Sequence, residues 1–267
     1  MRELFLSAGL DPAWLVKATF EANCLLLFVL CLWHSMSAHG WRRTGREFVA
    51  GFTLTALAES TGVLSGAYVY PGFLLYVGAT PVANPASWVA LVYVIMRVSD
   101  RLLFGREAIT QDRSALRLSG GWLKTLVVLA CVDASLALGL DLVLDPLATL
   151  FNWWLWVPCE ANVQGVVPGT VDAYNFSREI WMSTPETAVG GFFATFFEGG
   201  FRYPTRIFGI PLINFVAWFV FVFVYTLQSR WVEGREGWSE GRRTAVLWTL
   251  VIVDWPVMSM LLITPNL

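Results

Sequence analysis

The chain has 267 residues, of which 56% are hydrophobic and 14% charged, with a formal net charge of -2 and a mean hydropathy of +0.59. So little charge cannot coat a water-soluble globule of this size, so much of the chain must have lipid as its solvent. The near-neutral balance leaves no basic footprint for nucleic acid.

The opening MRELFLSAGLDPAW carries acidic residues and a proline where a signal peptide has an unbroken apolar core, so no cleaved targeting segment is expected. Stretches of roughly 20 mainly apolar residues long enough to span a bilayer fall at 15 to 35, 46 to 67, 85 to 104, 122 to 143, 208 to 230 and 243 to 263. No alternating strand pattern accompanies them, and lipid leaves only helices and closed barrels as spanning structures. The expected fold is therefore all-α, a polytopic transmembrane helical bundle of about six spans forming one domain over 1–267. Between 144 and 207 the apolar patches FNWWLW and VGGFFATFF are too short or too glycine-rich to span, and re-entrant or interfacial segments are expected there. Tryptophan, favoured at membrane interfaces, recurs near the ends of these stretches at Trp14, Trp33, Trp41, Trp88, Trp122 and Trp231.

Lys and Arg set the orientation. The connections around Arg42, Arg43 and Arg46, around Arg97 to Lys124, and around Arg230 to Arg243 hold thirteen of the 18 basic residues. The connection 68 to 84 has none, and 144 to 207 has only Arg178, Arg202 and Arg206. The expectation is a bacterial cytoplasmic membrane protein with the basic connections inside and both termini non-cytoplasmic. The long 157–206 stretch is then a non-cytoplasmic insertion.

An ionisable side chain at mid-bilayer costs about 2.5 to 3.5 kcal/mol even on the lenient insertion scale, so each needs a reason. Glu21, Glu59, Asp133, Asp141, Asp145 and Asp254 qualify, and on this topology most lie in the outer half of the bilayer with Asn23 and Asn214. Asp141 and Asp145 stand at i, i+4 and share a helical face if the helix reaches them, which Pro146 is expected to permit only up to residue 145. Two carboxyls held together retain a proton between them, giving a neutral acid able to protonate a weak base. The competing reading has Asp145 ending the helix and Asp141 paired with an arginine. Glu59 has no basic residue near it in sequence and needs a tertiary partner or a functional role, whereas Glu21 and Asp254 read equally well as ordinary helix-to-helix hydrogen bonding.

Gly62 and Gly66, at GxxxG spacing, suggest close helix packing. Trp153, Trp154 and Trp156 read either as an interfacial belt or as ring faces for a cation, each worth about 0.5 to 2 kcal/mol. Cys24, Cys31, Cys131 and Cys159 form no CxxC pair. With only His34 and His39 for imidazole ligands, a histidine-rich di-iron desaturase or hydroxylase is excluded, and no metal or cofactor is expected.

Glu59-x-x-Gly62-x-x-x-Gly66-x-Tyr68-x-Tyr70, then Pro81, Pro85 and Trp88, then Asp141-x-x-x-Asp145-Pro146 with Trp153 and Trp154, and finally Gly209-Ile210-Pro211-x-x-Asn214-x-x-x-Trp218 follow one another along the chain. This order resembles the membrane proteins of carotenoid biosynthesis typified by the carotenoid 1,2-hydratases. The resemblance spans about 50 to 156 and 207 to 230, with the first and last helices matching only as generic spans. It departs at 157 to 206, where the family passes quickly from the Trp cluster to the Gly-Ile-Pro segment.

The resemblance implies addition of water across the terminal C1=C2 bond of an acyclic carotenoid. Asp141 or Asp145 would then be the acid, and Glu59 the orienter or base. Tyr68 and Tyr70 would hold the water, Trp153 and Trp154 would face the cation, and Asn214 and Trp218 would complete the substrate site. The implied partner is a carotenoid or other long isoprenoid lipid in the membrane. The alternative is a non-catalytic carotenoid- or lipid-binding subunit joined to a membrane complex through the insertion. A prenyltransferase would need two Asp-rich motifs where only one Asp pair stands, and a proton-coupled transporter would show an internal repeat.

Overall fold

A computed structural model describes residues 12–64, 68–70, 72–105, 121–151, 153–156, 206–207 and 210–263. Among them are six helices: α1 (Pro12–His39), α2 (Trp41–Leu64), α3 (Ala83–Phe104), α4 (Trp122–Leu150), α5 (Leu212–Glu233) and α6 (Glu240–Ile263). Three are long and apolar enough to cross a membrane, at Trp14–His39, Trp122–Thr149 and Leu212–Glu233, which makes the chain an integral membrane protein by length and composition. Apolar side chains also cover the outside of the bundle: Leu26, Val29 and Leu30 on α1, Val143 on α4, and Ile252 and Val257 on α6 are each more than half exposed. Water would penalise that surface, and hydrocarbon does not.

Helices consecutive in sequence run antiparallel, so α1 and α3 run parallel, as do α2 and α6, which meet at Arg46–Glu240 near their starts and at Thr61–Trp255 towards their ends. Gly40 alone joins α1 to α2, with φ +79°, a left-handed turn that suits glycine because it lacks a Cβ. Around the bundle α1 packs on α3, α3 on α4, α4 on α5, α5 on α6 and α6 on α2, while α2 also packs on α1 and α3. The main core joins Leu54, Trp88, Val92, Val222 and Val251. A second cluster of Tyr68, Tyr70, Phe73, Ile210, Ile213 and Phe215 closes one end.

That end carries three short antiparallel ladders, which the apolar patterning did not suggest. β1 (Tyr68–Val69) pairs with β4 (Leu155–Trp156), β2 (Tyr76–Val77) with β3 (Thr80–Pro81), and β5 (Arg206–Ile207) with β6 (Ile210–Pro211). The first places Tyr68 opposite Trp156 and so ties the chain after α2 to the chain after α4. Residues 157–205, most of the insertion, lie outside the described residues, as do Gly66 and Cys159.

Three helix boundaries differ from expectation for identifiable reasons. α4 continues through Pro146 to Leu150 instead of stopping at 145. Proline forfeits only the bond to the Leu142 carbonyl, and the turn beyond closes by Phe151 N–H to the Leu147 carbonyl at 2.9 Å, with Ala148 and Thr149 buried. α2 begins at Trp41 and α5 ends at Glu233, beyond the apolar stretches, because charged residues there are partnered inside the bundle. Trp88, expected at an interface, is 5% exposed and packs edge-to-face on Phe221.

The partnering is extensive at the arginine-rich end. Arg230 of α5 donates from Nε to Asp133 at 3.0 Å, from Nη1 to Asp100 at 2.6 Å and from Nη2 to Ser99 at 2.9 Å, joining α5 to α3 and α4. Arg46 of α2 donates to Glu233 and, at 2.7 Å, to Glu240, joining α2 to α5 and α6. Arg230 and Arg46, counted in sequence as loop charges, are thus structural ion-pair members. Glu21 accepts from the Leu74 and Leu75 amides at 3.0 Å each, and Asp254 from Gln228 at 3.1 Å, which gives both acids structural partners.

Removing one member of a buried pair strands the other, at a cost of about 3–5 kcal/mol. Arg230→Met is therefore expected to lower the melting temperature in detergent sharply. Adding Asp133→Asn and Asp100→Asn to it should recover part of the loss. A melting temperature unchanged by Arg230→Met would contradict the assignment.

Candidate active site

The other end of the bundle gathers Glu59, Asp141 and Asp145 around two adjoining cavities, of about 220 Å³ and about 80 Å³. Both are lined by Glu59, Asn84, Trp88, Asp145, Trp154 and Trp218; the larger adds Asp141 and Trp153, the smaller Tyr68, Tyr70 and Asn214. Among the described residues no Lys, Arg or His lines either cavity.

Glu59 sits in the last turns of α2. Its Oε2 accepts from the Tyr68 hydroxyl at 2.7 Å and the Tyr70 hydroxyl at 2.5 Å, and Tyr70 in turn accepts from the Asn84 amide. The local fold explains the convergence. The chain leaves α2, returns through β1 and places Tyr68 against Gly62, where an added Cβ would overlap the tyrosine ring. Gly62 therefore admits a side chain of the returning strand, and not the neighbouring helix that GxxxG spacing suggested.

Asp141 and Asp145 occupy one face of α4, made continuous by the passage through Pro146, and both are buried at 1% and 2% exposure. The Asn214 amide donates to both carboxyls, at 3.0 Å to Asp141 Oδ2 and also to Asp145 Oδ2. Asn214 lies in the first turn of α5, so this bridge also locks α4 to α5. Two carboxyls bridged by one amide in an apolar cavity repel each other when both are anionic, a cost that a proton shared between them would relieve. Among the described residues Asp141 is partnered by Asn214 and by no arginine, against the reading in which it pairs with one.

The aromatic walls differ in availability. Trp154 meets Tyr70 edge-on at 6.2 Å. Trp153 lies flat on Phe20, with ring centroids 3.8 Å apart, so one of its faces is taken. All nine residues expected at the site from sequence are brought to this end of the bundle. Sequence reasoning missed Asn84, Phe20 and Cys24. A neutral side chain in an apolar stretch gives little signal, although Asn84 beside Pro85 at a span's start was a polar residue without an assigned partner.

Compared with known protein families, residues 20–178 match one described as carotenoid biosynthesis protein. The match takes in α1 from Phe20, which the sequence comparison had treated as generic, and includes Glu59, Tyr68, Tyr70, Asn84, Asp141, Asp145, Trp153 and Trp154. It stops before Asn214 and Trp218 and enters the stretch beyond the Trp cluster. Comparison with curated proteins and with solved structures finds no match. With well over half its residues in the match, the chain belongs to the carotenoid biosynthesis protein family.

Proposed function

We propose that the chain hydrates the terminal C1=C2 double bond of an acyclic, ψ-ended carotenoid, with the Asp141–Asp145 pair as proton donor and Glu59 as the base for water. The observation that carries this reading is a pair of carboxyls bridged by the Asn214 amide and a separately held carboxyl on the same apolar cavities. Protonating a trisubstituted alkene demands a neutral acid in a dry site, and the pair bridged by Asn214 supplies one.

The proton adds to C2, and the π electrons leave a tertiary cation at C1. Ring faces near the cavity stabilise such a charge by about 0.5 to 2 kcal/mol each, and Trp154, Trp88 and Trp218 line both cavities together with Glu59 and Asp145. Water then attacks C1 and gives up its second proton to Glu59, leaving a tertiary alcohol. The proton returns to the acid pair through solvent, so the net change is addition of one water. Because the hydroxyl protons of Tyr68 and Tyr70 are committed to Glu59, the tyrosines fix the base, and Glu59 itself holds the water.

Six crossings follow in this reading, with the arginine-rich end in the cytoplasm and the site in the outer half of the bilayer. The cavities lie below the ~300–1,000 Å³ of pockets that enclose whole drug-sized ligands, which suits an end group and not an entire polyene.

Expression in a bacterium that makes acyclic carotenoids is expected to yield a product heavier by one water. Asp145→Asn and Asp141→Asn should each lower its formation by about 10²-fold or more, the usual worth of a general acid, with helical content unchanged. Full product from both variants would sink the acid assignment. Gly62→Val, which pushes Tyr68 off Glu59, should cut product formation while Glu59 remains; wild-type turnover would show that the Tyr68 bond has no part in the reaction. Pigment that co-purifies with the wild type without any hydrated product would favour a carotenoid-holding subunit.

A further inference from the structure

The larger cavity does not end at the acids. From Asn84 to Val98 the unburied residues of α3 are Asn84, Ser87, Leu91, Val94, Arg97 and Val98. All but Arg97 recur at steps of three and four, which at 3.6 residues per turn is a single stripe. Asn84, Ser87 and Leu91 line the cavity, while Val94 and Val98, 39% and 40% exposed, continue the stripe below it.

Hydrogen bonds fix what flanks the stripe. On one side α1 is held to α3 by Cys31 Sγ to the Ala90 carbonyl at 3.8 Å and by His34 with Tyr93 at 2.7 Å. On the other, α4 is held to α3 by Ser99 to Asp133 at 2.5 Å. Ala90 and Tyr93 lie to one side of the stripe on the helical wheel and Ser99 to the other, so α1 and α4 stand apart with the stripe as the floor between them. Both helices pack on α3 and touch each other at most marginally. Towards the strand-bearing end the gap is bridged by the stacked Phe20 and Trp153 rings.

The result is a straight groove, apolar beyond Ser87, that begins at the acid pair and runs along α3 for about 21 Å at 1.5 Å per residue. Asn23, exposed on α1, marks its mouth beside the cavity.

We propose that this groove is the seat of the substrate's extended polyene, which enters sideways from the bilayer between α1 and α4 and delivers only its end group beneath the Phe20–Trp153 stack. The proposal rests on the reading of the cavity as an end-group site. Continuity points to the occupant: Asn84, Ser87 and Leu91 belong both to the stripe and to the cavity that the acids line, and Val94 and Val98 beyond them offer no hydrogen bond. A stiff hydrocarbon matches that shape, and Leu91, Val94 and Val98 become the residues that set which chains fit.

The test is pigment retention by protein purified from cells that make acyclic carotenoids, read from visible absorbance per protein. Val94→Trp and Val98→Trp, which fill the floor below the cavity without touching the acids, are expected to lower retained pigment by about tenfold. Ile252→Trp, on the outer face of α6, should retain the wild-type amount. Should a tryptophan at 94 prevent folding, Val98→Trp carries the same comparison alone. Wild-type retention by the folded floor variants would overturn the proposal. So would equal loss in Ile252→Trp, or a wild type that retains phospholipid and no pigment. Asp145→Asn separates this claim from the hydration reading: it should still hold pigment, whether or not the wild type makes the alcohol.

Discussion

A carboxylate inside a bundle bathed in hydrocarbon must be neutralised, hydrogen-bonded or both, and the two ends of this protein meet that requirement differently. At one end Arg43, Arg46, Arg97, Arg230 and Arg243 offset Glu47, Asp100, Asp133, Glu233 and Glu240 with fixed positive charge, and these contacts span α2 to α6. At the other, Asp141, Asp145 and Glu59 take hydrogen bonds from an amide and two phenols. A carboxyl balanced by a guanidinium is chemically quiet. One that takes hydrogen bonds from neutral donors can keep or move a proton, which is what the proposed chemistry asks of the cavity end.

The same division explains the rigidity of the site. Asn214 reaches both members of the acid pair only because α5 packs along α4. α5 is anchored at its far end by Arg230. Glu59 receives Tyr68 and Tyr70 only because β1 pairs with β4, bringing the segments after α2 and α4 together. The site is thus preorganised by features outside it, which is what electrostatic catalysis needs if no energy is to be spent arranging dipoles during reaction.

Much of this was legible in the sequence because charge is conspicuous in apolar surroundings. Glu59, Asp141 and Asp145 stood out for that reason, and Tyr68, Tyr70, Trp153, Trp154, Asn214 and Trp218 through the order of motifs around them. What stayed hidden depended on three-dimensional facing. Asn84 is one neutral polar residue at the start of a span, and only the fold aims it at Tyr70. Arg230 read as a loop charge because the apolar stretch ended there, whereas Asp133, nearly a hundred residues away, draws it inside. Pro146 suggested a stop, and the burial of Ala148 and Thr149 beyond it carried the helix on. The stripe on α3 is invisible in a segment that is apolar almost all round, since exposure depends on which neighbours are missing.

Acid-catalysed addition of water leaves an isotopic record. Purified protein given an acyclic carotenoid in deuterated water enriched in oxygen-18 should yield a tertiary alcohol with one non-exchangeable deuterium at C2 and one oxygen-18 at C1. An alcohol whose oxygen comes from dioxygen, a product lacking deuterium at C2, or unchanged carotenoid would contradict the account.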